Sequence, residues 1–291
     1  MRKKTLLPYQ KSLVIPAVLI FSFFFVLPVL ASFVLAFTDW NLSRFTTPVW
    51  NGLDNFLYIF TDRKFGLSVK NTFIFAIFTA GLKTILGLFV ALAVNRPLKT
   101  RNLLRTVYYM PAVLSMVVVG IMFDAIFRFD GMFNQFLGTL GLESLQQDWV
   151  GGYKTALPVV ILADVWRWTG FNMAVFLAGL QSIPNDYYEA ARIDGASSWQ
   201  QFRRITVALL MPAFTVNIVF NTIGGLKVFE QVFVITGGGP GFASQVFSTY
   251  IYSAFSQGLL GRSTAMSLIL FITVFTLSTL MNTVLKKKEV S

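Results

Sequence analysis

The chain has 291 residues, 55% hydrophobic and 16% aromatic, with 13% charged. Soluble domains carry about a quarter charged residues, so an ordinary water-soluble globule is excluded. Cysteine and histidine are absent, which removes disulfides, thiolate metal sites and the commonest general base, while the net charge of +11 leaves nucleic acid or anionic lipid to be decided by its distribution.

Sustained apolar runs of about 20 residues mark bilayer spans, because a helix rises about 1.5 Å per residue. The runs do not alternate, so they predict helices and not barrel strands. Six spans are expected, over 12–37, 71–94, 106–127, 155–181, 206–226 and 264–285. The first follows Arg2, Lys3 and Lys4 but is too long for a signal-peptide core of about 7–15 residues, so it reads as a retained anchor. Segments 38–70 and 128–154 hold short apolar stretches such as "NFLYIF" and read as interfacial helices.

Polar residues inside spans are costly in lipid, so they either hold helices together or face a solute path. Lys83 stands alone between Gly81 and Gly87 in the second span, and Asp124 lies in the third. Both read as interhelix contacts. In the fourth span Asp164, Trp168 and Asn172 recur every four residues, with Arg167 spaced to pair with Asp164. Asn217 and Asn221 repeat the spacing in the fifth span. A stripe of aromatic, amide and carboxylate groups suits a polyhydroxylated ligand, and equally suits helix packing. The stretch "TGGGPG" that follows is a flexible turn by composition.

Lys and Arg in the flanks set orientation. With the N-terminus inside, the cytoplasmic segments hold Arg2, Lys3, Lys4 and Lys11; Arg96, Lys99, Arg101 and Arg105; Arg192, Arg203 and Arg204; and Lys286, Lys287 and Lys288. These are fourteen of the 24 basic residues, against eight in the longer outside loops. Both termini are therefore expected in the cytoplasm. Topology and membrane lipid account for the charge, and nucleic acid is not expected as a partner.

The loop at 182–205 is then cytoplasmic. Asn185 is placed to cap a helix, Asp186 suits its positive end, and Tyr187, Ala190 and Ala191 share a face. Gly195 after Asp194 ends that helix, and Ser197 with Gln200 forms a capping box for a second. Local chemistry alone also fits an amphipathic loop lying on headgroups.

This loop carries a family resemblance. Glu189-Ala190-Ala191, Gly195 six residues after the glutamate, and Ile205 ten after that glycine resemble the cytoplasmic loop of permease subunits in binding-protein-dependent ABC importers. The likeness runs through "LQSIPNDYYEAARIDGASSWQQFRRITVALLMPA", and "ITGGGPGFAS" and "STYIYSAF" resemble the carbohydrate branch, of the maltose and glycerol-3-phosphate type. It implies an all-α polytopic membrane protein with the type I importer permease fold, in a prokaryotic cell membrane. It implies assembly with a second homologous permease, two ATPase subunits that bind ATP and Mg, and an extracytoplasmic solute-binding protein. The loop would be the coupling helix, with Tyr187, Glu189, Ala190, Ala191, Asp194, Gly195 and Ile205 meeting the ATPase. Gly237, Gly238, Gly239 and Pro240 would project toward the binding protein, although a plain connector fits as well. The family carries a proline where this chain has Ala208, which implies a less kinked start to the fifth span.

The chain itself shows no phosphate-binding loop pattern, no nucleophile–base set and no metal-ligand cluster, so no catalytic or metal residue is expected. The rival reading is an ion-gradient-driven transporter or channel, with Asp164 and Asp124 as its only carboxylate candidates. A membrane-bound enzyme is a weaker rival.

Overall fold

The computed structural model describes residues 14–287. Arg2, Lys3, Lys4, Lys11, Lys288 and the start of the first expected span lie outside the described residues. The rest is helical, and the only β feature among the described residues is a single antiparallel bridge between Thr38 and Trp50.

The helices are α1 (Ile15–Phe21), α2 (Leu27–Leu35), α3 (Asp54–Thr61), α4 (Arg63–Val94), α5 (Arg101–Val113), α6 (Met116–Phe127), α7 (Met132–Thr139) and α8 (Ala156–Gln181). They continue with α9 (Asp186–Ile193), α10 (Ser198–Gln201), α11 (Val207–Leu209), α12 (Met211–Leu226), α13 (Glu230–Ile235), α14 (Phe247–Ser256) and α15 (Leu260–Lys286). Four continuous stretches are long and apolar enough to cross a membrane, Ile15–Leu35, α4, α8 and α15, or six if each of two bent pairs is one span.

The bent pairs correct two expectations. The span expected at 106–127 is two helices broken at Leu114 and Ser115, and the pair Arg101–Val113 and Met116–Thr139 turns through 97°. Pro111 lies one turn before the break, where it removes a ladder hydrogen bond. The fifth span also bends, by 62° between Ser198–Leu209 and Met211–Leu226. Ala208 therefore does not straighten it. A π-helical turn over Phe202–Thr206 and Pro212 in the first turn of α12 supply the distortion instead.

Contacts group the chain into two compact units, Met1–Asp62 with Ile251–Ile269, and Arg63–Tyr250 with Leu270–Ser291. In the larger unit α8 packs against α4 and α5, and α12 against α4. Small residues permit the close approach that membrane helices use in place of a hydrophobic drive. A Cβ added at Gly170 would fall 1.9 Å from the Tyr108 carbonyl oxygen, and one at Gly225 would fall 2.7 Å from the Ala76 Cα.

Two buried apolar clusters result. One joins Phe75, Met116, Val119, Phe123, Val160 and Val232. The other joins Ala91, Val94, Met173, Phe176, Leu180 and Leu210. Buried polar residues accompany the clusters: Lys83 and Thr84 lie between them along α4 and Asn172 along α8, while Asp164 sits beside Ala163 and Val165 of the first. By contrast, the best apolar windows of Ile15–Leu35 and α15 bury none of their residues. Phe21, Phe23, Phe24 and Phe25 are all exposed, a surface that water solvates poorly and lipid tails solvate well.

Candidate functional site: a docking loop and a buried polar belt

The loop after α8 is stiff. Asp186 and Glu189 lie in the first turn of α9, where the helix dipole favours acids. Asn185 corrects one expectation. It has helical backbone angles and makes no side-chain cap. The C-terminal end is a Schellman motif: Gly195 N–H donates to the Arg192 carbonyl and Ala196 N–H to the Ala191 carbonyl, at 3.0 and 2.8 Å. Gly195 adopts φ +76°, a left-handed conformation that glycine enters without Cβ strain. Ser197 and Gln200 form the expected capping box of α10. Tyr188 and Thr206 share a hydrogen bond of 2.9 Å between their hydroxyls, and Tyr188 packs on the second apolar cluster. The loop is thereby fixed to the bundle.

Its outer face is open. Tyr187, Glu189, Ala190, Asp194 and Gly195 are exposed, whereas Ala191 turns inward and is half-buried beside Tyr188, and Ile205 is also half-buried. Ile193 is 87% exposed and Trp199 67% exposed. Sequence reasoning passed over these two. The available signal was Ile193, a large apolar residue at the end of an otherwise polar helix and just before the Asp194–Gly195 stop.

The stripe residues meet different partners. Asp164 Oδ2 accepts from Lys83 Nζ at 2.8 Å, and Asp164 Oδ1 accepts from Gln231 Nε2 at 2.9 Å. Asp164 thus pairs across helices, and not with Arg167 as the spacing implied. Both members of the ion pair are at least nine-tenths buried. Arg167 instead donates to the Leu114 carbonyl at 2.9 Å, satisfying the backbone where α5 breaks.

Asn172 and Asn221 are each within hydrogen-bond reach of the other, with Asn221 Nδ2 donating to Asn172 Oδ1 at 2.6 Å. Asn221 Nδ2 also donates to Thr84 Oγ1 at 3.3 Å. Asn217 is fully buried with neither amide atom hydrogen-bonded. Trp168 is half-buried and lies in an aromatic group with Phe171 and Phe220, at centroid distances of 5.1 to 6.3 Å. The structure thus joins Asn172 with Asn221, sets Asp164 in a separate ion pair, and adds Phe171 and Phe220 beside Trp168.

The glycine-rich stretch is not a free turn. Asn71, on α4, donates to the carbonyls of Phe242, Ala243 and Gln245 at 3.0 to 3.3 Å. Ser244 Oγ reaches both Thr236 Oγ1 and the Gly239 carbonyl. Gly237 and Gly238 hold φ of +60° and +88°. Gln231 on α13, a few residues earlier, ties the same region to Asp164. Among the described residues no group of three or more acidic side chains is placed to hold a metal ion.

Known proteins resemble this chain over most of its length. Residues 83–289 match the family described as binding-protein-dependent transport system inner membrane component. The chain is 34% identical over 263 residues to the trehalose/maltose transport system permease protein MalF of Thermococcus litoralis, covering 90% of this chain and 88% of that protein. It is 34% identical to the lactose transport system permease protein LacF of Rhizobium radiobacter, covering 82% and 80%. Among solved structures it resembles a chain of a bacterial ABC transporter involved in the import of the acidic polysaccharide alginate, with a TM-score of 0.83 and 25% identity over 95% of this chain and 94% of that one. A second structure of an alginate transporter, in complex with a periplasmic protein bound to alginate pentasaccharide, gives a TM-score of 0.81 over 94% of this chain and 92% of that one.

Proposed function

The chain belongs to the inner-membrane components of binding-protein-dependent transport systems, and we propose that it is the permease subunit of an ATP-driven importer that carries a carbohydrate across a prokaryotic cell membrane. It is a multi-pass membrane protein and performs no bond chemistry itself. A second permease completes the channel, two ATPase subunits bind ATP and Mg, and an extracytoplasmic binding protein delivers the sugar.

The observation that carries this reading is the docking loop. Two short helices lie on the face that the charge distribution assigns to the cytoplasm, joined by the Gly195 turn and the Ser197 capping box, with Tyr187 and Ile193 of α9 and Trp199 of α10 uncovered. Exposed apolar groups on a rigid element suit a partner's groove. Glu189 supplies a polar contact beside them, and Ala190 leaves room for close approach. Motion of the ATPases reaches α12 through the π-helical turn and the bend at Leu210. The sugar path follows Trp168, Phe171 and Phe220, with Asn172, Asn217 and Asn221 as hydrogen-bonding groups that part when α8 and α12 separate. The pinned loop at Gly237, Gly238, Gly239 and Pro240 faces the binding protein.

The absence of native cysteine makes a direct test available. Ile193→Cys should react readily with a maleimide dye in the chain produced without its ATPases, and should be shielded after co-assembly with them. Leu140→Cys, exposed in the segment 128–154 that the charge distribution assigns to the outside, should label equally in both. Equal labelling of Ile193→Cys with and without the ATPases would remove the docking role.

A further inference from the structure

The smaller unit holds a polar cavity of about 800 Å³ that shares no residue with the proposed sugar path. Its walls come from the segment after α2, the start of α3 and the residues joining α14 to α15. Gly261 N–H donates to the Trp40 carbonyl at 2.7 Å, so the chain leaving the apolar stretch Ile15–Leu35 meets the buried first turn of α15. The cavity therefore sits at the boundary between hydrocarbon and headgroups. Exposed Leu42, Phe45 and Trp50 lie in the same segment, as expected for an interfacial belt.

Its charges are arranged unusually. Asp39 and Arg44 pair with each other at 2.9 Å. Asp54 and Arg262 line the same cavity, and among the described residues neither has an opposite charge within ion-pair distance. Arg262 is held by stacking, with its guanidinium 3.6 Å from the Tyr58 ring centroid. Two opposite charges left apart in one cavity suit a ligand that carries both signs itself.

We propose that this cavity binds the zwitterionic headgroup of phosphatidylethanolamine from the outer leaflet. The phosphodiester takes Arg262, whose planar fork matches phosphate oxygens, and the ammonium takes the Asp54 carboxylate. The acyl chains then run along the exposed apolar face of α2, which belongs to the same unit. A neutral sugar is less well matched, because it would leave both charges uncompensated.

Native mass spectrometry on the purified full chain, offered equal amounts of phosphatidylethanolamine, phosphatidylglycerol and phosphatidylcholine, tests this without any transport assay. The wild type should retain phosphatidylethanolamine preferentially. Arg262→Gln should lower that retention about tenfold, the loss of one charge-assisted contact. Asp54→Asn should keep phosphate binding but abolish the preference over phosphatidylglycerol, a selectivity change that a folding defect does not produce. No lipid preference in the wild type, or an unchanged preference in Asp54→Asn, overturns the proposal. Displacement of the lipid by maltotriose would assign the cavity to sugar and also overturns it.

Discussion

At Gly195 two requirements coincide. A Cβ there would meet nothing within 4 Å in the chain, so any crowding must come from a partner. The backbone is left-handed, which leucine resists at a cost of about 1–2 kcal/mol and asparagine tolerates. The two substitutions therefore separate turn from contact. Gly195→Asn should keep the chain folded yet lower uptake at least about tenfold, as should Gly195→Leu, if a bare surface is needed against the ATPase. Normal uptake with Gly195→Asn would reduce the residue to a helix stop. Lys83 and Asp164 give a second prediction. Removing one partner of a buried pair leaves an uncompensated charge, at roughly 3–5 kcal/mol. Lys83→Met should lower the thermal midpoint sharply, and Lys83→Met with Asp164→Leu should recover most of it. An unchanged midpoint in the single variant would contradict the burial. The sequence could not reveal this pair, because its members lie 81 positions apart and helical spacing points to Arg167 instead.

Elements were legible where the signal is local. The capping box at Ser197 and the stop at Gly195 depend on a few neighbouring residues, and both form as read. The break after α5 was not legible, because its exposed carbonyl is satisfied by Arg167 from 53 positions away. The glycine-rich stretch looked flexible for the same reason: Asn71 pins it from 171 positions upstream. Movement between α8 and α12 can be read chemically. Single cysteines at 164, 168, 172, 217 and 221 should resist a membrane-impermeant thiol reagent in the described arrangement, except at the half-buried 168. Positions 172, 217 and 221 should become reactive when ATP drives the cycle, and substrate should protect them. If all five stay unreactive in every nucleotide state, the stripe serves only to pack the helices.

For the whole molecule, composition and span length indicated a helical membrane protein, because the bilayer imposes a length and a polarity that any sequence must meet. They could not show which spans bend, nor that two apolar clusters enclose a buried polar belt, since both arise from long-range packing. The belt also bears on the source of energy. Asp164, one of two carboxylates a proton or ion relay would use, is occupied by Lys83 and Gln231, whereas the docking loop stands ready for an external motor. The most direct test uses the full complex in sealed vesicles, with the loaded binding protein outside and labelled maltotriose as the first sugar of a small panel. Uptake should require ATP on the side of the docking loop, and should be unaffected when proton and sodium gradients are collapsed. Uptake driven by an ion gradient with no ATP present would contradict the account.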